Sequence, residues 1–529
     1  MDKIRIKNLR SLTDTGEVEL KPLTVLVGKN SSGKSTFLRF FPLMKQTLET
    51  RTNEPILWYS RYVDFGSFKE SLNFENQKNP IRFEFQFQLP RSYAERELNL
   101  GRYKSRLYKN DMENDREPHF HFTVNIECSE KFLEKVTVGF EDHKIEIEFK
   151  SKEKLATLKI NGNNCDPGDF LPIYSINSAN ILPLISFKGE ANPFRTDSYF
   201  YNNLLKILKE LAFSRTSEDT IGQVIGGIPI GSSQRILSSL KEPDTTAQIL
   251  LGNLKKITIH DKKFEDIKHN LLGMHMNRII NLCNRYLEVY FSSVKYIAPL
   301  RASAERYYRV QGLSVDEIDP QGANIPMILQ NMNLKDKQNF NSWLQENFGF
   351  ELSTSLEGGH TSLRIRQGNN SEEINLADTG FGYSQIIPII LVIWQASLPK
   401  PIRQRYSTKW MQARENFEKS NFTVVVEQPE LHLHPALQAK LIDIFVQLTV
   451  MAQKNNLNIK IIIETHSETM LNRIGYLVAK KKFNFNKDLI NVLMFNKINT
   501  YKSEVESTSY SERGHLLSWP IGFFNPEDM

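Results

Sequence analysis

The most chemically specific stretch of the chain is Gly28-Lys29-Asn30-Ser31-Ser32-Gly33-Lys34-Ser35, followed by Thr36. It has the form G-x-x-x-x-G-K-[ST], directly after the apolar run Leu23–Val27 and before a helical pattern expected to start near Lys34. Glycines let backbone N–H groups close around phosphate oxygens, and a helix N-terminus adds positive partial charge. Lys34 has the reach to pair with β- and γ-phosphates, and the Ser35 hydroxyl can ligate Mg²⁺. The stretch therefore predicts a bound nucleoside triphosphate with Mg²⁺.

Three further stretches could complete that chemistry. In Thr423-Val-Val-Val-Glu427-Gln428-Pro-Glu430-Leu-His432-Leu-His434-Pro435, four β-branched residues run into an acid. A buried strand would deliver the Glu427 carboxylate to the Mg²⁺ shell. In Ile461-Ile-Ile-Glu-Thr-His466-Ser-Glu468, a second buried strand ends beside a histidine that can hydrogen-bond a γ-phosphate and sense its loss. In Asp378-Thr-Gly-Phe-Gly382-Tyr-Ser384-Gln385, small residues precede the apolar run Ile386–Trp394, and the start of that helix is a second expected anion site. Glu430, His432 and His434 have the types of metal ligands, but their place just after the Glu427 strand favours an interface loop.

The elements that must position these groups fall in three parts. Residues 1–80 read as strands around Ile4, Ile6, Val18 and Leu20, then the phosphate loop. Residues 81–295 change character. Ile81–Phe87, His119–Ile126 and Lys144–Phe149 alternate as half-exposed antiparallel strands, and Tyr201–Ala212 and Leu271–Val294 then read as helices. Residues 296–529 return to buried strands at Thr423–Val426 and Ile459–Ile463. The predicted class is α/β, one nucleotide-binding fold split by a β-rich and then helical insertion. The glycine-rich Gly226–Ser233 lacks a lysine and a preceding strand, so it is expected to be a linker or surface loop.

Bulk properties exclude some classes. The 529 residues carry a net charge of +6, which permits a nucleic-acid partner without requiring one. Three scattered cysteines, Cys128, Cys165 and Cys283, fit a reducing cytoplasm and no disulfide framework. The longest apolar run, Ile386–Trp394, is short for a bilayer, so a cytoplasmic protein without a membrane partner is expected. Two basic stretches are interleaved with aromatics, a composition that suits nucleic acid as well as a solvated face. The first runs from Arg91 to Lys109. The second, Lys400–Lys419, includes Arg403, Arg405, Tyr406, Lys409, Trp410 and Arg414.

In this order, the four motifs resemble the ABC/SMC superfamily, including the heads of double-strand-break repair and OLD-type ATPases. More narrowly, VGKNSSGKST, GFGYSQIIP, EQPELHLHP and ETHSE resemble bacterial ATPases of anti-phage defence, of the Septu type and retron-associated. The closing Ser518-Trp-Pro-Ile-Gly-Phe-Phe524 is similar too. The resemblance covers about residues 1–80 and 296–529. It implies a P-loop NTPase of ABC-ATPase head type that hydrolyses ATP with Mg²⁺. Ser35 and Glu427 would serve the metal, and Gly28 to Thr36 the phosphates. Gly382, Ser384 and Gln385 would face the γ-phosphate of a second, paired head, and His466 would be the switch histidine. Arg10, in Asn8-Leu-Arg-Ser11, would be a phosphate-contacting basic residue. A homodimer or higher oligomer through the ATPase heads is implied, as is a sensor that controls a nuclease in trans, HNH-type by resemblance. A reverse transcriptase with its RNA/DNA product, or DNA itself, are the further partners implied.

The chain also departs from that pattern. Its signature is not L-S-G-G-Q, and it ends about 40 positions before Glu427. Gln428 replaces the usual catalytic glutamate, so hydrolysis is expected to be slow, with Glu430 or His466 as alternative activators of water. Asp64-Phe-Gly-Ser67 is the candidate Q-loop. No HNH pattern is present, and about 60 residues after His466 are too few for a Toprim nuclease. An SMC-like DNA-repair ATPase is the competing role, and a transporter subunit is disfavoured by the large insertion.

Overall fold

A computed structural model describes residues 1–50, 52, 54–98, 119–174, 180–188, 196–309, 317–368, 372–398 and 421–519. The basic stretch 400–419, the part of 91–109 beyond residue 98, and residues 520–524 of the closing segment lie outside the described residues.

The chain opens with β1 (Lys3–Leu9), β2 (Leu12–Asp14), β3 (Val18–Glu19) and β4 (Leu23–Gly28), then helix α1 (Lys34–Glu49). Six strands follow: β5 (Ile81–Pro90), β6 (His119–Cys128), β7 (Leu133–Phe140), β8 (His143–Ser151), β9 (Lys154–Ile160) and β10 (Asn163–Cys165). A two-stranded pair, β11 (Phe170–Ile173) and β12 (Leu184–Phe187), leads to α2 (Thr196–Leu211), three shorter helices and the long α3 (Lys262–Ser292). After β13 (Val294–Ile297) comes a small sheet of β14 (Tyr308–Arg309), β15 (Phe350–Glu357), β16 (His360–Gln367) and β17 (Ile374–Asn375). The remaining elements relevant to the site are α4 (Phe381–Ser397), β18 (Asn421–Glu427), α5 (Pro435–Lys454), β19 (Asn458–Glu464), α6 (Glu468–Ala479), β20 (Ile490–Lys497) and β21 (Ser503–Thr508).

One large sheet carries the molecule. Its order is β10-β9-β8-β7-β6-β5-β1-β2-β21-β20-β4-β19-β18-β13, with β3 paired beside β1. Strands β20, β4, β19, β18 and β13 are parallel neighbours. Every residue of β4 and of β18 is buried, as expected where helices cover both faces. Strands β5 to β10 are antiparallel and alternate, with Ile81, Phe83, Phe85, Phe87 and Leu89 all inward. Because β5 pairs with β1 from Lys3↔Gln86 to Lys7↔Arg82, this β-rich stretch is hydrogen-bonded into the nucleotide-binding sheet. The helical stretch has an apolar core of its own, including Leu204, Leu208, Ile221, Leu240, Leu254 and Phe264.

The stretch read as a glycine-rich loop is partly helix. Gly226 and Gly227 end the helix Glu218–Gly227, and the Gly231 carbonyl lies 2.8 Å from His143 Nε2. Helix α5, of 20 residues, is by length and composition long and apolar enough to cross a membrane. In the fold it packs on β19 and α6.

Candidate functional site

The site forms at the C-terminal ends of the parallel strands. Strand β4 runs into the loop 29–33, and α1 starts at Lys34. Two glycines make this turn possible. Gly28 has φ +148°, and a Cβ there would sit 2.4 Å from the Phe495 carbonyl oxygen. Gly33 has φ +93°, and a Cβ would meet Ser11 Oγ at 2.8 Å. Lys29, Asn30 and Ser31 are exposed, whereas Ser32, Gly33 and Lys34 are buried. Lys34 Nζ donates to the carbonyls of Gly28 at 2.9 Å and Lys29 at 2.8 Å, so the ammonium is aimed back into the loop. Burial lowers its pKa, opposed by the nearby Glu464 carboxylate. Thr36 is half-buried in the first turn of α1.

Two acids stand side by side at the strand ends, because β18 and β19 pair in register with Glu427 opposite Glu464. Glu427 is fully engaged. Its Oε1 accepts from Arg39 Nε and from the Tyr296 hydroxyl, each at 2.7 Å, and its Oε2 accepts from Arg39 Nη2 at 2.8 Å. This bond raises the Arg39 pKa. Glu464 faces the phosphate loop instead. Ser35 Oγ lies 3.0 Å from its Oε1 and 2.8 Å from its Oε2, and Lys34 Nζ lies 3.9 Å away. Burial and the neighbouring Glu427 push the Glu464 carboxyl up to about 7, against the pull of Lys34 and Ser35.

Beyond the acids, the two strand ends are tied together. Gln428, at φ +41°, donates its N–H to the Glu464 carbonyl at 2.9 Å. Glu430 Oε1 accepts the His466 N–H at 2.6 Å, while Glu430 Oε2 is buried without a hydrogen-bond partner. Burial raises the Glu430 pKa, opposed by that N–H. His466 is brought down to about 4 by burial and by Lys34, so its imidazole is neutral at physiological pH and close to the lysine. Arg301 Nη2 donates to the Glu427 carbonyl at 2.8 Å. Burial lowers the Arg301 pKa to about 10 despite Glu430 and Glu427.

The signature segment lies on another helix. Gly382 is in the first turn of α4, and a Cβ there would approach the His432 carbonyl oxygen at 3.2 Å. Ser384 Oγ donates to the Phe381 carbonyl at 2.8 Å, and Gln385 Nε2 donates to the Arg301 carbonyl at 3.2 Å. Both side chains are buried within this chain, and Phe381 is the exposed group of the turn. Among the described residues, no hydrogen bond or ion pair joins residues 380–385 to the loop 28–36. Arg10 reaches the other side of the site. Its guanidinium lies 4.6 Å from the Phe65 ring centre, and burial and Arg39 lower its pKa. That contact places Asp64-Phe65-Gly66-Ser67 beside Arg10, with Ser67 capping the short helix Phe68–Ser71.

The sequence matches the family described as AAA ATPase domain (AAA_15) over residues 1–471. The chain belongs to that family. It is an ATPase whose phosphate loop is built on a mixed α/β sheet. Solved structures with a similar chain course include an SMC head domain from Thermotoga maritima. It has 9% identity and a TM-score of 0.34, covering 96% of this chain and 97% of that one. An Smc head from Pyrococcus furiosus bound to the C-terminal domain of ScpA has 10% identity and a TM-score of 0.32, covering 96% of each chain. RecF in its nucleotide complex has 11% identity and a TM-score of 0.25, covering 95% of this chain and 97% of that one. No curated protein matches the chain.

The residues present fit the ATP and Mg²⁺ that this ATPase family implies. Ser32 Oγ is buried without a hydrogen-bond partner inside the loop, which a phosphate oxygen would satisfy. Among the described residues, no group of three or more His, Cys, Asp or Glu could hold an ion alone. Mg²⁺ at an ATPase site instead takes one or two carboxylates and the phosphates themselves. The sequence motifs did not single out Glu464, Arg39, Tyr296 or Arg301. Only Glu464 carried a signal, as an acid closing the apolar run Ile461–Ile463 much as Glu427 closes Val424–Val426.

Proposed function

We propose that this ATPase pairs head to head with a second copy around ATP, and that the paired state controls a nuclease acting in trans during anti-phage defence. The carrying observation is that, among the described residues, no hydrogen bond or ion pair joins the phosphate loop to the Gly380–Gln385 turn of the same chain. That turn presents a helix N-terminus and the Phe381 ring, 65% exposed, to the outside. A helix N-terminus with no phosphate of its own to bind suits the γ-phosphate held by another head. The defence role is supported by the motif resemblance to Septu-type and retron-associated ATPases.

Within one head, this chain's residues have separate tasks. Lys34 and the loop N–H groups bind the phosphates, and Ser35 with a strand-end acid would hold Mg²⁺, which supplies charge neutralisation at the γ-phosphate. His466, neutral and near Lys34, senses the γ-phosphate. Gln428 orients water by hydrogen bonding but cannot accept its proton, so turnover is slow and the paired state long-lived.

Sedimentation of the full chain with and without MgATP tests this reading. Phe381→Glu is a cleaner probe than a bulky substitution at buried Ser384. It is expected to leave ATP binding intact and to abolish ATP-dependent pairing. Equal association of variant and wild type would reduce the Gly380–Gln385 turn to a cap on α4. The same purified samples, given DNA, are expected to leave it uncut. ATP turnover stimulated by DNA without any nuclease partner would favour the SMC-like repair role.

A further inference from the structure

The order of the strands bears on which acid serves the metal. Strand β19 lies directly beside the phosphate-loop strand β4, with Glu464 paired to Leu26. Strand β18, which carries Glu427, lies one place further out. Glu464 is thus the nearer acid, and its carboxylate is the group that meets the Ser35 hydroxyl. A carboxylate within hydrogen-bond reach of a hydroxyl that ligates Mg²⁺ is placed to share that ion. Glu427 is differently placed. Both of its oxygens are taken up, by the two-pronged Arg39 fork and by Tyr296, and the side chain is 2% exposed. A carboxylate held by both N–H groups of a guanidinium is oriented and neutralised, and withdrawing it to an ion would leave Arg39 unpaired.

We propose that Glu464, with the Ser35 hydroxyl, is the carboxylate that holds the Mg²⁺ of bound ATP, and that Glu427 is a positioning residue committed to Arg39 and Tyr296. This inference rests on the nucleotide-site reading and deepens it. Lys34, between Glu464 and the loop carbonyls, would turn from those contacts to the phosphates when ATP binds, leaving Glu464 and Ser35 to hold the metal. The Glu427–Arg39 pair meanwhile keeps the end of β18 docked on α1, so the Gln428–Glu430 loop and the His466 N–H that it holds stay in register.

The test is ATP binding to the full chain by calorimetry across a Mg²⁺ series, with an EDTA baseline. Glu464→Gln is expected to raise the Mg²⁺ concentration for half-maximal ATP affinity by roughly 10- to 100-fold, the cost of a lost metal-orienting group. In EDTA it binds ATP as well as wild type or more tightly, because a negative charge has left the phosphate pocket. Glu427→Gln is expected to leave the Mg²⁺ midpoint close to that of wild type and to lower Tm instead. Replacing Mg²⁺ by Mn²⁺ and following its electron paramagnetic resonance gives the same ranking without turnover. Should Glu464→Gln fail to fold, Glu464→Asp carries the test, with an intermediate rise in midpoint expected. A midpoint unmoved in the Glu464 variants, a larger rise in Glu427→Gln, or equal rises in both overturns the assignment. Wild type that binds no ATP overturns it together with the nucleotide-site reading.

Discussion

Gln428 occupies a conformation that only about a few per cent of non-glycine residues adopt, φ +41°, so its backbone is held there by its contacts. Its N–H reaches the Glu464 carbonyl, and its own carbonyl accepts from Arg301 Nη2 at 3.3 Å. The side chain is therefore delivered to a set place beyond the acids. In-line attack on a γ-phosphate needs a group there that positions water and accepts its proton, and an amide does only the first. Gln428→Glu is expected to raise ATP turnover at least several-fold, towards the roughly 10²-fold that general-base help supplies at its lower end. Steady-state phosphate release measures it. Glu430→Gln separates the rival base. In the structure Glu430 is occupied in holding the His466 N–H, so its loss is expected to loosen that segment. Turnover flat in Gln428→Glu and abolished in Glu430→Gln would make Glu430 the base.

At the scale of elements, helix α1 decides where Lys34, Ser35 and Arg39 point. Phe40 sets its rotation, lying 4.8 Å from Phe83, 6.1 Å from Phe85 and 6.0 Å from Phe291, ring centre to ring centre. One turn later Lys45, 1% exposed, donates to the carbonyl of Val294 at 2.7 Å and to Glu317 Oε1 at 2.6 Å. The bond to Val294 ties α1 to the start of β13, and the ion pair ties it to the segment at Glu317. Burial would raise the Glu317 carboxyl, but Lys295 and Lys45 more than offset it and bring it to about 2. A carboxylate with a depressed folded-state pKa stabilises the fold above its unfolded value, ordinarily 4.5, and that contribution is lost as pH falls towards 2. Glu317→Gln is expected to cost about 2 kcal/mol at neutral pH, the worth of hydrogen bonds to a charged group. The Tm difference from wild type should be full at pH 6 and should shrink as pH falls below about 4.5. A difference independent of pH would mean that packing, not charge, carries the effect.

Across the whole molecule, the site joins residues far apart in the chain. Ser35 meets Glu464 and Arg39 meets Glu427, contacts that span 429 and 388 positions. Strand β4 sits between β20 and β19, both from the last part of the chain. ATP bound at this seam ties the two ends of the chain together, so it is expected to stabilise the fold as a unit. At 100 times its Kd it would add about 2.7 kcal/mol. Thermal unfolding with MgATP should shift upward in wild type and stay unshifted in Lys34→Ala, which loses the ammonium nearest the phosphates. A full shift in that variant would show that ATP binds elsewhere.

The sequence by itself determined the ATPase chemistry and the strands that carry it. A phosphate loop is a local object, since glycines, a lysine and a helix start must be contiguous to surround one phosphate. The strands Thr423–Val426 and Ile459–Ile463 were legible because burial on both faces demands unbroken apolar runs, and the alternation of Ile81–Phe87 was legible because one face is covered. Tertiary structure decided what depends on neighbours distant in sequence. It placed β19 between β4 and β18, which brings Glu464 to Ser35 and leaves Glu427 to Arg39. No spacing along the chain encodes that order, because strand pairing is set by main-chain hydrogen bonds and by how the helices pack. For the same reason, the stretch that reads as an insertion from 81 onward extends the central sheet through β1 and β5. Ser384 and Gln385, expected to face a partner, are turned into their own chain because an apolar helix buried as deeply as α4 draws its first turn inward.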